Sequence, residues 1–339
     1  MSPPPKRART SSSTEDQAAM DAETPSNPKK RETLWFEDGN IVLASDVHLY
    51  CVHRGVLARN STVFKDMLEL PNVGDASNNE METAVREDSW EGKPLVRMVG
   101  DGDEDVYHLL MTLYDIEFYS SHRPTTLPII LSLIRMSTKY NFSGIRNAVT
   151  THLEHVYPND LCVMEDRNFS LLFEDFNAVP DDFDLQLLVA ALKYDMKSVL
   201  PMLYLECSTT SLDTILKASE RLEIEKQHIE RILHGRERMI EYSYQYGIKR
   251  FAPKRQCSSS ICSSARLELL HKYVVKLPHN PIQALLRNDD VAILDELRES
   301  ICKACSKAIS ATLDDFRLEI WDSIPKLYGL GTWEDTYRD

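Results

Sequence analysis

Four cysteines toward the C-terminal end carry the clearest capacity for chemistry. Cys257 and Cys262 are spaced C-x4-C in a serine-rich stretch, and Cys302 and Cys305 are spaced C-x2-C at the start of a helical pattern. Thiolate pairs two to four apart can approach one cation, and two such pairs complete the closed tetrahedral set of a structural zinc. The 39 residues between the pairs exceed the usual finger, but a domain can close that gap. The competing reading is four small buried apolar residues, because no histidine sits at finger spacing and free cysteine is often simply buried. A redox dithiol at Cys302 and Cys305 is less favoured, since no thioredoxin-type strand–turn–helix surrounds them. Residues 257–339 hold ten Lys/Arg against thirteen Asp/Glu, which argues against a DNA-reading zinc module. A structural zinc is therefore the one cofactor that the sequence raises.

A second stretch, CVHRGVLARNSTVF at residues 51–64, invites a catalytic reading of His53 and Arg54. Catalysis needs a nucleophile or carboxylate convergent with His53, and no motif supplies one. The stretch changes from strand-like to helix-like in fourteen residues, so the pair reads as the corner between the two. Glycine-rich phosphate loops are absent, and GDGDED at 100–105 is acidic; it predicts a turn and an acidic helix start. It also lacks the twelve-residue calcium loop with a terminal Glu. Ser, His and Asp are plentiful but lack a nucleophile-elbow motif. The chain reads as a non-enzyme.

The elements that must position these residues begin with composition. The chain has 339 residues, a net charge of −14 and seven cysteines. An odd cysteine count in a long chain does not resemble a secreted disulfide scaffold. No apolar run approaches the ~18 residues of a membrane span, and MSPPPKRARTSSS has no apolar core of a signal peptide. The expectation is a nuclear or cytoplasmic protein without a membrane partner. Residues 1–33 are rich in Pro, Ser, Thr and charge, too poor in apolar residues to offset ordering entropy, and read as a disordered tail. Two basic clusters lie in it, Lys6-Arg7-Ala8-Arg9 and Lys29-Lys30-Arg31. Lys6, Arg7 and Arg9, preceded by prolines, resemble an import signal; a solvated tail is the plain alternative. The tail is near neutral, so the rest carries almost all the negative charge. Direct nucleic-acid binding through a broad face is disfavoured, because it depends on neutralising phosphates.

From Leu34 the pattern becomes globular. Asp38-Gly39 signals a turn between apolar stretches. VHLYCVH alternates, with Val47, Leu49 and Cys51 on one face. Val56 and Leu57 share a helical face, and Asn60 or Ser61 caps a second helix carrying Val63, Phe64, Met67 and Leu68. A polar loop over about 72–93 precedes a short strand in PLVRMVG. Residues 105–118 predict a helix with Val106, Leu109, Leu110, Leu113 and Tyr114 inward. LPIILSLIRMSTKY is apolar nearly all round and predicts a central, buried helix.

This order of hairpin, short helix pair, strand, helix, buried helix and helix resembles a BTB/POZ domain over residues 34–156. VHRGVLARNSTVFKDML is similar to that family's signature, and LLMTLYDIEFY and STKYNFSGIRNAV sit where the family has its matching helices. In wording and length the likeness is greatest to the BTB proteins of mushroom-forming fungi. The resemblance implies an α+β domain, a small sheet with a helical bundle, followed by an all-α C-terminal region. It implies homodimerisation through the hairpin and first helices. It gives fold-signature roles to Asp38, Asn40, His53, Arg54, Leu57, Ser61 and Phe64. Many members place an Asp opposite the Arg in a charged pocket; here that position is Asn40. Asp38 lies two residues earlier on the same strand face and is the candidate substitute, with a weak surface ion pair as the plain reading of Arg54. The resemblance further implies a cullin-type ubiquitin-ligase scaffold as partner, with Val85 and Glu87 as the candidate contact, and an unknown client held by the C-terminal half. It is also similar in having cysteine pairs ahead of an ending like WDSIPKLYGLGTW. The alternative function is a nuclear transcription or chromatin cofactor without direct DNA contact.

Lys139-Tyr140-Asn141-Phe142 with Ile145 echoes Lys193-Tyr194-Asp195-Met196 with Val199. In both a helix ends at Lys-Tyr, and Asn or Asp is expected to cap the next one. The echo predicts stacked helices over 157–250, a BACK-like extension by the same resemblance. Residues 251–339 form a last helical region with the paired cysteines. A stripe of Ile301, Cys305, Ile309, Leu313, Phe316, Ile320 and Ile324 runs through it, and Trp321 and Trp333 are expected to lock this end onto the body.

Overall fold

The computed structural model describes residues 28–69, 89–252, 257, 259–276, 282, 284–285, 301–310 and 313–336. Strands β1 (Lys29–Trp35), β2 (Ile41–Ala44) and β3 (His48–Val52) come first, then helices α1 (Arg54–Asn60) and α2 (Thr62–Glu69). Strands β4 (Ser89–Trp90) and β5 (Lys93–Arg97) complete a five-stranded sheet of order β1-β3-β2-β5-β4. Helices α3 (Asp103–Tyr114), α4 (Leu127–Lys139) and α5 (Ser143–Glu154) follow, and α3 and α4 add buried side chains to the sheet-side core. The rest is helical: α6 (Leu161–Asp166), α7 (Phe183–Lys193), α8 (Leu200–Thr209), α9 (Leu212–Arg221), α10 (Lys226–Phe251), α11 (Ser260–Lys276), α12 (Lys303–Ser310) and α13 (Asp314–Leu327). A small mixed sheet with flanking helices is thus followed by a long all-α region.

The sheet is mixed because β2 pairs antiparallel with β3 and parallel with β5, while β1 pairs parallel with β3. Ser45 closes the β2–β3 hairpin: its Oγ accepts from the Val47 and His48 amides at 3.2 and 2.9 Å. The Asp38-Gly39 turn therefore joins β1 to β2 without pairing them, since β3 lies between. Gly39 is needed there, because a Cβ would stand 2.7 Å from Cys51 Sγ. Strand β1 starts at Lys29, inside the stretch that composition assigns to the tail. Lys30 meets Glu91 at 3.0 Å, and Arg31 lies over the Tyr107 ring, so partners in the fold hold this polar strand.

Alternation sorts the strands between two faces. Ile41, Leu43, Tyr50 and Val52 face the core with Leu57, Phe64, Val106, Leu109 and Leu110. Val42, Ala44, Leu49 and Cys51 face a smaller cluster with Trp35, Trp90 and Leu95. Val47 does not join Leu49 and Cys51; it sits in the hairpin turn, half exposed. Helix α3 opens with Asp103, Glu104 and Asp105, the acidic start expected, and ends at Tyr114 rather than 118. Asp103 accepts from Tyr50 Oη and pairs with His48 Nδ1, both at 2.7 Å, which fastens the hairpin to α3.

Helix α4 is buried on nearly all sides. Met136 belongs to the sheet-side core, whereas Leu127, Ile130, Leu133 and Ile134 belong to the core of the helical region. That second core is continuous from α4 to Tyr328, so the helical half shares its interior with α4 and α5. Helix α8 is buried from Leu200 to Ser208.

The echoed segments end helices in the same way, but not as N-caps. Asn141 and Asp195 both have φ of 52°. The following amides reach back, Phe142 N to Ser137 O at 2.8 Å and Met196 N to Ala191 O at 2.9 Å. This is a Schellman C-terminal motif with the apolar C″ residue buried. Glu223, with φ of 52°, and Gly329, with φ of 71°, repeat it at the ends of α9 and α13. Arg146 joins the two echoes: its guanidinium donates to the Tyr194 and Asp195 carbonyls at 2.8 and 3.2 Å.

Candidate metal centre

The two cysteine pairs reach one point from two helix starts. Cys262 lies in the first turn of α11, with Cys257 just before it; Cys302 immediately precedes α12, and Cys305 lies in its first turn. Helix starts suit thiolates because their amides point outward. The four Sγ atoms all lie within 4.8 Å of one another. Zinc–sulfur bonds of about 2.3 Å put tetrahedral sulfurs about 3.8 Å apart, so a small contraction completes the set. All seven cysteines are free thiols.

The surroundings suit a cation bound by sulfur. The Cys302 amide donates to Cys262 Sγ at 3.1 Å, an outer contact that orients a ligand and favours its thiolate. That amide is the leading reason the Cys262 thiol is lowered to about 7. Burial, with Cys257 and Cys302 beside it, pushes Cys305 up to about 12. Four crowded sulfurs cannot all ionise unless a cation replaces their protons. Cys262 and Cys305 are buried, Cys257 is partly covered and Cys302 is exposed. Among the described residues no other group of His, Cys, Asp and Glu converges in this way. A cleft of about 560 Å³ does hold His122, His155, Cys162 and Arg167, but they do not meet at one point.

The hairpin signature residues hold a corner together. His53 stands before α1, its amide donating to Tyr114 Oη at 2.9 Å. Its Nε2 lies 3.2 Å from Asp38 Oδ1. Asp38 therefore meets His53 and does not take the place of Asn40 beside Arg54. Asn40 Oδ1 accepts from the Arg54 amide at 2.8 Å, which satisfies the first turn of α1. The Arg54 guanidinium donates to Leu68 O at 2.8 Å, near the end of α2. Arg54 thus caps a helix C-terminus, a role that a surface ion pair does not describe. Ser61 rather than Asn60 caps α2, its Oγ accepting from the Phe64 amide at 3.0 Å. Leu57 and Phe64 are fully buried. Val85 and Glu87, and Lys6, Arg7 and Arg9, lie outside the described residues.

Two groups escape a reading by motif. One is a buried polar cluster: Tyr157 Oη donates to Asp184 Oδ1 at 2.6 Å, and Arg167 forms an ion pair with Glu206 at 2.5 Å. Burial, then the Glu206 charge, pushes Asp184 up to about 8. The other is Arg266, 1% exposed and one helical turn after Cys262. The i, i+4 spacing was the available signal for Arg266; nothing in sequence brings Asp184 to Glu206.

No protein-family model, curated protein or solved structure matches the chain. No described helix is long and apolar enough to cross a membrane.

Proposed function

We propose that the chain works by binding other proteins, through an N-terminal domain of the BTB/POZ type and a helical C-terminal half held by a structural zinc. One observation carries this reading: the order β2–β3 hairpin, α1–α2, parallel β5, α3, buried α4 and α5 is the order that the sequence resemblance implies. The corner at His53 and Arg54 is taken up by structural hydrogen bonds, which favours a scaffold over a catalytic use of these residues. On this reading the domain forms a homodimer and recruits a cullin-type scaffold, while the helical half holds a client. Zinc is the metal favoured at Cys257, Cys262, Cys302 and Cys305, because four thiolates in a tetrahedral set select it. It would cross-link α11 to α12 and supply no reactive group.

The alternative, a nuclear transcription or chromatin cofactor, draws on Lys6, Arg7 and Arg9. The second basic cluster supports it less, because Lys30 and Arg31 are engaged within the fold. Affinity purification of tagged protein from its own cells, beside a copy lacking residues 34–156, tests the main reading. Cullin and ubiquitin machinery recovered with the full chain and lost on deletion is the expected result. Recovery of chromatin proteins alone would overturn the adaptor role.

A further inference from the structure

A buried guanidinium beside the cysteine cluster has no carboxylate paired with it among the described residues. Arg266 is 1% exposed, and its hydrogen bonds end on carbonyls: Ala252 O at 3.0 Å, Arg250 O at 2.8 Å and Cys305 O at 3.4 Å. Two of these carbonyls belong to the end of α10, and the third belongs to a residue of the cysteine cluster. Carbonyl dipoles solvate a guanidinium only in part, and burying a cation without a counter-charge is costly. Cys262, one turn earlier on the same helix, brings the thiol cluster to the same side. Four thiolates around one divalent cation leave a net dianion. Four thiols, or two disulfides, leave no charge and an uncompensated Arg266.

We propose that Arg266 is the outer-sphere counter-charge of a dianionic metal–tetrathiolate centre, and that it raises the affinity of that centre for zinc. The inference rests on the zinc reading above and adds a residue that is not a ligand. It separates two roles. A helix cap would hold α10, α11 and α12 together equally well with and without metal. A counter-charge favours the zinc-bound state over the zinc-stripped one.

The full chain, Arg266→Met and Arg266→Lys are compared by competition for zinc with a chromophoric chelator, and by thermal melting before and after zinc removal. The expected result has three parts. Arg266→Met weakens zinc binding tenfold or more, Arg266→Lys weakens it less, and zinc-stripped Arg266→Met melts no lower than the zinc-stripped parent. Equal destabilisation of both metal states at unchanged zinc affinity would overturn the proposal and leave Arg266 a cap. If Arg266→Met does not fold, Arg266→Lys decides: affinity within about threefold of the parent supports the charge role, and a tenfold loss refutes it. A parent chain that binds neither zinc nor cobalt(II), read by thiolate charge-transfer absorption, sinks the zinc reading itself and this inference with it.

Discussion

Asp184 and Glu206 sit together under Tyr157 and Arg167 with little water around them. Burial first, and the neighbouring Glu206 charge second, push the Asp184 carboxyl up to about 8, and the single Arg167 guanidinium does not offset them. The unfolded chain releases the carboxyl proton near its ordinary value of about 4. Between these values the folded state binds more protons than the unfolded one, so stability falls as pH rises. Asp184→Asn mimics the protonated carboxyl and can still accept from Tyr157. The urea midpoint of Asp184→Asn should gain steadily on that of the parent as pH rises from about 4 to about 8, with the gap smallest at the acid end; parallel pH profiles would refute this assignment. At this scale the sequence was partly legible. Cysteine spacing pointed to the metal site because ligand spacing is local within each pair. Arg54 misled, because its partner is a backbone carbonyl, which no residue type announces.

Helix ends are the recurring device at the scale of elements. Asn141, Asp195, Glu223 and Gly329 each take a left-handed φ and stop a helix. Glycine is the ordinary choice there, Asn and Asp tolerate it, and Glu does not favour it. Glu223 is exposed, so Glu223→Gly should stabilise the chain by roughly 0.5–1 kcal/mol. Denaturant titration measures this, and a loss of stability would contradict the assigned conformation. The echo of Lys-Tyr-Asn-Phe and Lys-Tyr-Asp-Met was visible in sequence. Its meaning was not, because Asn and Asp serve both as N-caps and as left-handed C-terminal residues, and φ alone separates the two. Periodicity made α4 legible through its continuous apolar face. Strand β1 escaped because KKRET has no alternation; pairing with β3 and contacts to Glu91 and Tyr107 define it.

The whole molecule is a sheet domain continued by helices, with α4 lending its two faces to the two cores. Arg146 ties α5 to the end of α7, and Trp333 stacks on Trp321 while donating to its carbonyl at 3.0 Å. The expectation that these tryptophans close the C-terminal end was legible because large aromatics near a terminus need cover. The convergence of Cys257 and Cys262 with Cys302 and Cys305 was raised by their two spacings; the packing of α10, α11 and α12 that brings it about was not legible. Association through the N-terminal domain is the central claim for this molecule. Sedimentation equilibrium of the purified full chain over a dilution series through micromolar concentration tests it most directly. The account predicts twice the chain mass at micromolar concentration, falling toward the single-chain mass only on dilution. A full-length chain that stays monomeric across the concentration range would contradict it.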